Sequence, residues 1–448
     1  MDDILAARSQ MAMSLGFHII FAAIGIAMPL LMVIAEWRWL KTGQEVYLTL
    51  TKRWAKGTAI LFAVGAVSGT VLSFELGLLF PTFMEYAGPI FGMPFSLEGF
   101  AFFTEAIFLG IYLYGWDRIS RRLHLFSGVM VAFSGMMSGV FVVLANAWMN
   151  SPTGFDIVNG QAVNIDPIKA ALSPMAFTQV LHMTIAAYAA TGFLVAGIHA
   201  FMLLRDRENI FHRKALGIAL TVGGITAFLM PLTGDLSAKA VAKYQPVKLA
   251  AMEGQFKTEK AAPLRIGGIP DEEARETRYS IDIPYLLSFL AFGDPNAEVK
   301  GLDEFPREDH PPVAIVHFAF QIMVGLGTAM MLVSLWAAFL WWRNKRKLPE
   351  NKWLLRSLVL LAPAGMIAIE AGWTVTEVGR QPWIIYGVMR TKDAVTPMPG
   401  LVVPFLFFTA LYILLAIAVA WLLYRQVAMS PMIIDENQPS SKEGSNVP

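Results

Sequence analysis

A carboxylate and a guanidinium stand where an apolar segment is expected to leave the membrane. The segment from Glu370 to Trp383 reads EAGWTVTEVGRQPW, and it places Glu377 and Arg380 three residues apart. Charged side chains at this depth are costly to bury, so they are expected to hold each other and a further group. The pattern therefore predicts a buried cofactor or ion site.

Four more polar or sulfur-bearing side chains interrupt other apolar segments: His18, Glu98, His182 and Met323. With the topology given below, all four lie with Glu377 in the outer half of the bilayer. Scattered residues would divide between the two halves, so the clustering indicates one connected site. Each residue also has a structural explanation, because a lone histidine usually bonds a neighbouring helix and a methionine usually fills the core.

Two carboxylates in one apolar segment suggest proton transfer. Glu98 and Glu105 are seven residues apart, which puts them on nearly the same face of a helix. Carboxylates rarely face lipid, so this pair predicts a proton relay or metal ligation, and Glu75 adds a further acid. His199 and His317 are assigned structural roles.

Heme is the cofactor that best fits this set of side chains. An imidazole with a thioether gives six-coordinate, low-spin iron, whereas a single histidine or carboxylate leaves a position open for a small gas. The absence of cysteine excludes disulfides, thiolate heme ligation and iron–sulfur clusters. No histidine cluster typical of copper oxidases occurs in the sequence, so copper is not expected.

The composition is that of a membrane protein. Of the 448 residues, 56% are hydrophobic and 15% are charged, and the mean hydropathy is +0.53. A net charge of +1 argues against nucleic acid as a partner. The first apolar segment follows an acidic MDD and lacks the basic start of a secretory signal, so we expect a permanent span.

Apolar stretches of about twenty residues, the length that crosses the hydrocarbon core, predict an all-α polytopic membrane protein with nine transmembrane helices. The stretches are 12–36, 57–80, 97–116, 126–148, 176–204, 215–233, 312–342, 354–378 and 401–424. They divide the chain into helices one to six within 1–233, a long loop at 234–311, helices seven to nine within 312–424, and a tail at 425–448.

The distribution of lysine and arginine predicts the orientation. Short basic loops lie at 38–56, 118–122, 205–214 and 343–347, whereas the intervening loops at 81–96 and 149–175 carry almost no basic residues. Basic residues in short loops stay on the cytoplasmic side. The N-terminus and the long loop after helix six are therefore predicted outside, and the C-terminus is predicted in the cytoplasm.

The long loop contains a second candidate site. Its sequence favours a helix after Pro246, from which Lys248 and Glu253 could face the membrane surface. The functional hypothesis is a site for a quinol headgroup, where one residue binds the hydroxyl and the other accepts its proton. The alternative is a solvated surface helix.

Taken together, six motifs resemble a known family over essentially the whole chain, from Met1 to about Arg425. They are RSQMAMSLGFH at 8–18, LEGFAFFTE at 97–105, GWDR at 115–118, ANAWM at 145–149, FQIMVGLGT at 320–328 and GRQPW at 379–383. The sequence resembles subunit I of cytochrome bd quinol oxidase, in the form with a short quinol loop. The resemblance implies nine helices with the quinol-binding loop after helix six.

The resemblance also implies cofactors and their ligands. Two hemes b, one low-spin and one high-spin, and one heme d are expected, without copper. His182 and Met323 resemble the axial pair of the low-spin heme b, and His18 and Glu377 resemble the ligands of the two high-spin hemes. Which of these two sites holds heme d is left open.

Further residues resemble the surroundings of these hemes and the substrate paths. The heme environment includes Arg8, Glu98, Gln321, Trp373 and Arg380, and Arg380 partners heme propionates or Glu377. Glu105 and Ser138 resemble the proton path, and Lys248 and Glu253 occupy the positions of the quinol-reactive residues. The family often carries arginine at the position of Gln321, so we expect the low-spin heme here to have a lower potential.

The implied function is a terminal oxidase in the bacterial plasma membrane that oxidises menaquinol or ubiquinol and reduces dioxygen to water. Protons are released outside and taken up from the cytoplasm, so charge separates without a pump. The implied partners are a homologous second subunit and, in many members, a small single-span subunit. Two alternatives stay open at this stage: a quinone-linked low-spin cytochrome b that only transfers electrons, and a colourless proton-coupled transporter that uses Glu75, Glu98 and Glu105.

Overall fold

The computed structural model describes residues 2–345 and 351–428. Within these ranges, nine helices are long and apolar enough to cross a membrane, which confirms the predicted all-α fold with nine spans. The predicted tail, 425–448, lies outside the described residues from 429 onward, and so do Arg346 and Lys347 of the last basic loop. The structure contains no membrane, so the orientation stays a prediction.

The long helices are α1 (Asp3–Thr42), α2 (Glu45–Leu79), α3 (Pro81–Tyr114), α4 (Arg121–Asn150), α6 (Ala176–Arg205), α7 (Ile210–Tyr244), α10 (Val313–Arg343), the pair α11 (Lys352–Leu360) and α12 (Ala364–Val378), and α14 (Val402–Ala428). Short helices are α5 (Pro167–Ala171), α8 (Pro246–Glu253), α9 (Leu286–Phe292) and α13 (Thr391–Ala394). Strands pair only in twos: β1 (Asp156–Val158) with β2 (Gln161–Val163), β3 (Glu259–Lys260) with β6 (Glu298–Val299), β4 (Leu264–Asp271) with β5 (Glu276–Ile283), and β7 (Trp383–Ile385) with β8 (Met389–Arg390).

Two long helices continue beyond the apolar stretches that predicted them. The prediction of a loop at 81–96 is wrong: this segment is the beginning of α3, although Pro89 and Pro94 lie within it. Prolines are tolerated in membrane helices because neighbouring groups satisfy the backbone groups they free. α7 continues past 233 to Tyr244, and an ion pair between Lys239 and Asp235 (2.6 Å) supports this polar extension.

The eighth span is broken in the middle. α11 ends at Leu360, and α12 begins at Ala364 directly after Pro363. Proline cannot donate a backbone hydrogen bond but fits the start of a helix, so it separates the two segments and begins the second. α12 is therefore a short, separately positioned helix, and it carries Trp373 and Glu377.

The two most buried spans of the bundle are α1 and α6. α6 is the most buried of the nine spans, and it meets α7 where two glycines face each other. A Cβ added to Gly192 would lie 2.4 Å from Cα of Gly223, so only glycine allows this approach. The spans α2, α10 and α14 are the least buried.

The long loop is an ordered cap on one end of the bundle. It begins with α8, which confirms the helix predicted after Pro246, and continues into the β4–β5 hairpin, whose first strand lies against α10. Residues of α8, including Ala250 and Met252, pack with Val316 of α10 and Val375 of α12 in one apolar cluster. The loop is thereby held against the two helices that carry Met323 and Glu377.

Candidate functional site

His18 is oriented by a hydroxyl group on the neighbouring helix. Its Nδ1 lies 2.9 Å from Oγ of Ser68 on α2. The Ser68 hydroxyl donates its own hydrogen to the backbone of Val64 or Gly65, at 3.0 and 3.1 Å. Its oxygen therefore accepts from Nδ1–H of His18, which leaves the imidazole lone pair on Nε2 for a metal.

His182 repeats this arrangement on different helices. Its Nδ1 lies 3.1 Å from Oγ1 of Thr233 on α7, and the Thr233 hydroxyl donates to the backbone oxygen of Met230 at 3.1 Å. The Nδ1–H of His182 is again the donor, and Nε2 carries the lone pair. A ligating histidine usually donates its other ring hydrogen in this way.

Met323 lies where α10 approaches α12 closely. A Cβ added to Gly372 would be 2.8 Å from Sδ of Met323, so a larger residue at 372 would displace the thioether. Trp373 follows directly and also approaches α1, because a Cβ at Gly16 would lie 3.9 Å from its ring. α12 thus contacts the helices of both Met323 and His18.

The Glu377 carboxylate accepts hydrogen bonds from two side chains. The sequence predicted one of them, Arg380. Arg380 donates to Oε2 of Glu377, and Nδ2 of Asn146 donates to Oε1 from α4. Arg380 is 2% exposed, and its Nη1 is buried without a hydrogen-bond partner among the described residues. Arg8 is exposed and donates to Oε1 of Gln381 (3.2 Å), one residue beyond Arg380.

Lys248 is buried next to Glu377 instead of facing a surface. Its Nζ donates to Oδ1 of Asn150 (2.7 Å) and to the backbone oxygen of Thr376 (3.0 Å), and the residue is 2% exposed. Burial, followed by repulsion from Arg380, lowers the pKa of the Lys248 ammonium well below its usual value, and attraction to Glu377 opposes this.

Glu253 ends α8 and is also buried, at 3% exposure. Burial raises the pKa of its carboxyl group to about 8, and the positive charge of Arg265 opposes the shift. Its Oε2 is buried without a hydrogen-bond partner in the described structure. A buried carboxyl group with an unused oxygen is suited to accept a proton near neutral pH.

Gln321 binds the long loop through both ends of its amide. The backbone N–H of Gly267 donates to its Oε1 (3.1 Å), and its Nε2 donates to the backbone oxygen of Arg265 (2.9 Å). His317, one turn earlier on α10, lies between the backbone oxygens of Met252 and Gly267, at 2.8 and 3.0 Å. Both residues hold the loop in position, and the lower heme potential expected from Gln321 stays a prediction.

The two acids of α3 face α4. The hydroxyl of Ser138 donates to Oε1 of Glu98 (3.1 Å). Glu105, 7% exposed, lies against Gly135, whose added Cβ would be 3.1 Å from Oε1. Among the hydrogen bonds of the described residues, neither acid bonds a candidate iron ligand. Glu75 is on α2, where it accepts a hydrogen bond from Nε2 of Gln10 on α1 at 2.8 Å.

Three polar residues that contact the site were not selected from the sequence. Asn146 and Asn150 lie one turn apart at the end of α4 and connect Glu377 to Lys248. Glu370 faces Gly16 of α1 across the α1–α12 contact, with a buried Oε1 that has no partner among the described residues. Asn146 lies within the ANAWM motif, so the motif could have identified it as a site residue. Asn150 follows the motif by one residue.

The geometry fits bound hemes. Two imidazoles present a free Nε2, a thioether lies in a glycine-lined gap, and a carboxylate is held by an amide and a guanidinium. The unpartnered Nη1 of Arg380 fits a propionate or another anion. Among the described residues, no group of three histidine, aspartate or glutamate side chains forms a separate metal site.

Comparison with known proteins decides the family. The model of the cytochrome bd terminal oxidase subunit I family matches residues 6–431. The chain belongs to this family. The recognition made from the six motifs is therefore confirmed.

Relatives of this subunit I cover nearly the whole chain. It is 39% identical to the putative cytochrome bd menaquinol oxidase subunit I of Bacillus subtilis (strain 168), over 98% of this chain and 100% of that protein. It is 32% identical to the cytochrome bd ubiquinol oxidase subunit 1 of the same organism, over 95% of this chain and 94% of that protein. The solved structure of the bd oxidase from Geobacillus thermodenitrificans superposes with a TM-score of 0.89 at 41% identity, over 96% of this chain and 99% of that chain.

Proposed function

We propose that this subunit I binds two hemes b and one heme d and, in a quinol:oxygen oxidoreductase, couples quinol oxidation to the reduction of dioxygen to water. When bound, the hemes supply the one-electron transfer and dioxygen binding that side chains cannot provide. His182 and Met323 would hold the low-spin heme b, and His18 and Glu377 the two high-spin hemes. The family match favours neither the transporter nor the electron-transfer-only alternative.

Side chains of three helices, α2, α4 and α7, and of the turn after α12 prepare these positions. Ser68 and Thr233 hold the ring hydrogens of the two histidines, so each Nε2 is a ligand without further proton loss. Asn146 and Arg380 hold the Glu377 carboxylate, so its charge is balanced before a metal binds. This arrangement is the observation that carries the proposal.

Quinol oxidation is assigned to Lys248 and Glu253 on α8. The ammonium of Lys248 can donate to a quinol oxygen, and the carboxylate of Glu253 can accept the hydroxyl proton. Burial raises the pKa of Glu253 to about 8, close to neutral pH, so this carboxyl group can exchange a proton at little cost, and burial lowers the pKa of Lys248. Released protons leave on the side where the long loop is predicted, which is the outside.

We assign the path that supplies protons for water formation to the α3–α4 interface. Glu105 and the hydrogen-bonded pair of Ser138 and Glu98 lie along this interface, and they would pass protons from the cytoplasm toward the dioxygen site. Uptake on one side and release on the other generate proton motive force by vectorial chemistry, without a pump.

The remaining assignments follow the family. The protein would work in the bacterial plasma membrane beside a homologous second subunit, and a small single-span subunit is a further partner. The relatives carry the names of both menaquinol and ubiquinol oxidases, and the substrate is a quinol of one of these classes. The poorly buried spans α2, α10 and α14 offer apolar faces for lipid or subunits.

Oxygen uptake by the purified complex tests the function. With a short-chain quinol as the only reductant, we expect oxygen consumption, and in sealed liposomes we expect acidification on the side of the long loop. Quinol-independent or absent oxygen uptake by a complex that retains all its subunits would contradict the proposal.

A further inference from the structure

A continuous hydrogen-bonded chain connects the long loop to Glu377. Nζ of Lys248 donates to Oδ1 of Asn150 (2.7 Å), and Nδ2 of Asn150 donates to Oδ1 of Asn146 (3.0 Å). Nδ2 of Asn146 then donates to Oε1 of Glu377, whose other oxygen accepts from Arg380. Two amides therefore join the buried Lys248 ammonium to the half-buried Glu377 carboxylate.

The hydrogen bonds between Lys248 and Glu377 all run in one direction. Each amide presents its oxygen toward Lys248 and its nitrogen toward Glu377, so the two dipoles are aligned between a cation and an anion. Aligned hydrogen bonds in a poorly polarisable interior strengthen one another. Reversing either amide would place an N–H against the ammonium or an oxygen against the carboxylate, which the charges disfavour.

Asn150 is the residue on which this chain depends. It is fully buried, and Nε2 of Gln245 on the long loop donates to its backbone oxygen (2.7 Å) and, at 3.2 Å, to its Oδ1. Its Nδ2 also reaches the backbone oxygen of Asn146 at 2.9 Å. Both ends of the amide are thus used, and its orientation is set from two elements.

We propose that Asn150 is a positioning residue that couples the quinol site to the iron ligand Glu377, although it touches neither quinol nor iron. A change in the position of Lys248 on quinol binding is transmitted through Asn150 and Asn146 to the carboxylate. The inference rests on the proposed function, because it takes Lys248 as a quinol residue and Glu377 as a heme ligand.

Substitution of Asn150 in the purified complex tests the coupling. Asn150→Leu keeps the branched shape at Cγ and removes the amide, so Lys248 loses a charge-assisted hydrogen bond, and the KM for a short-chain quinol should rise about tenfold. The same variant should shift the absorption bands of the reduced high-spin hemes. Asn150→Gln retains an amide and should restore most of both properties. Asn296→Ala, on an exposed part of the loop, is the matched control and should change neither.

A second variant keeps the test decisive if Asn150→Leu fails to fold. Asn150→Ala, which also removes the amide, then takes the place of Asn150→Leu. Lys248→Met should also shift the high-spin bands, and in the double variant with the Asn150 variant that folds the two shifts should not add, because they act through one series of hydrogen bonds. Unchanged high-spin bands in Lys248→Met, additive shifts, or a raised KM with unchanged bands would overturn the coupling. A wild-type complex without heme or quinol oxidation would instead overturn the proposed function.

Discussion

At the scale of single residues, hydroxyl groups prepare the candidate histidine ligands. Ser68 and Thr233 each give their hydrogen to a backbone oxygen of their own helix and accept one from a histidine. Each imidazole is therefore held in one tautomer before any metal binds. No hydrogen bond from the described residues supports the thioether of Met323, which depends on the space left by Gly372.

Replacing Met323 should affect one heme only. Met323→Leu has similar volume and removes the sulfur, so the bands of the low-spin heme should change while the high-spin bands persist. The reduced absorption spectrum measures this. Met330→Leu, a buried methionine two turns along α10, is the control and should leave every band in place. If all bands of Met323→Leu match the wild type, Met323 is not a ligand.

Glu253 should give quinol oxidation a characteristic pH dependence. Because burial raises its pKa to about 8, the carboxyl group is mostly protonated at neutral pH and ionises as the pH rises through about 8. Only the ionised form accepts a proton, so turnover at low quinol concentration should increase over this interval. In Glu253→Gln this increase should disappear, whereas exposed Glu298→Gln should keep it. A persistent increase in Glu253→Gln would remove the assignment.

At the scale of secondary structure, α12 brings the parts of the site together. It meets α10 at Gly372, α4 through Glu377 and α8 through the backbone of Thr376. The break at Pro363 makes α12 a separate helix that can adopt this position. The close approach of α6 and α7 at Gly192 positions His182 and Thr233 on the neighbouring surfaces.

A methyl group at the contact of α6 with α7 should destabilise the bundle. In Gly192→Ala the new Cβ would overlap Cα of Gly223, and overpacking of this kind costs roughly 1–3 kcal/mol. Thermal unfolding in detergent should therefore begin at a lower temperature. Gly217→Ala on α7, where a Cβ meets nothing within 4 Å, should unfold like the wild type. Equal unfolding temperatures for the two variants would contradict the packing.

A substitution at the α3–α4 interface should slow the supply of protons for oxygen reduction. Glu105→Gln keeps the size of the side chain but cannot release a proton, so oxygen reduction should slow at least tenfold while the heme bands persist. Stopped-flow oxygen reduction measures this step. Glu85→Gln, on the exposed side of α3, should react at the wild-type rate. Normal rates in Glu105→Gln would remove it from the path.

The helices could be predicted from the sequence better than the contacts between them. The lengths of the apolar stretches predicted nine spans, but the predicted start of α3 was too late in the sequence and the predicted end of α7 too early. A segment that contains prolines begins α3, and a polar segment continues α7. The charged end of the eighth span indicated Glu377, and the helix predicted in the long loop indicated Lys248 separately. Their connection through Asn150 depends on how α4, α8 and α12 meet, and no local pattern encodes such a contact.

At the scale of the whole molecule, the site is covered by the long loop and enclosed by helices from the whole length of the chain. Gln321 and His317 hold the β4 backbone against α10, and α8 packs on α10 and α12. The candidate quinol residues and iron ligands consequently belong to one packed unit. The poorly buried spans at its margin are available to lipid and to the second subunit.

The absorption spectrum of the purified, dithionite-reduced complex, recorded with and without carbon monoxide, decides whether this subunit holds the three hemes of a terminal oxidase. We expect the bands of low-spin heme b, a chlorin band in the red, and a change in the high-spin bands when carbon monoxide binds. A colourless complex, or one with only low-spin bands that carbon monoxide leaves unchanged, would contradict this expectation.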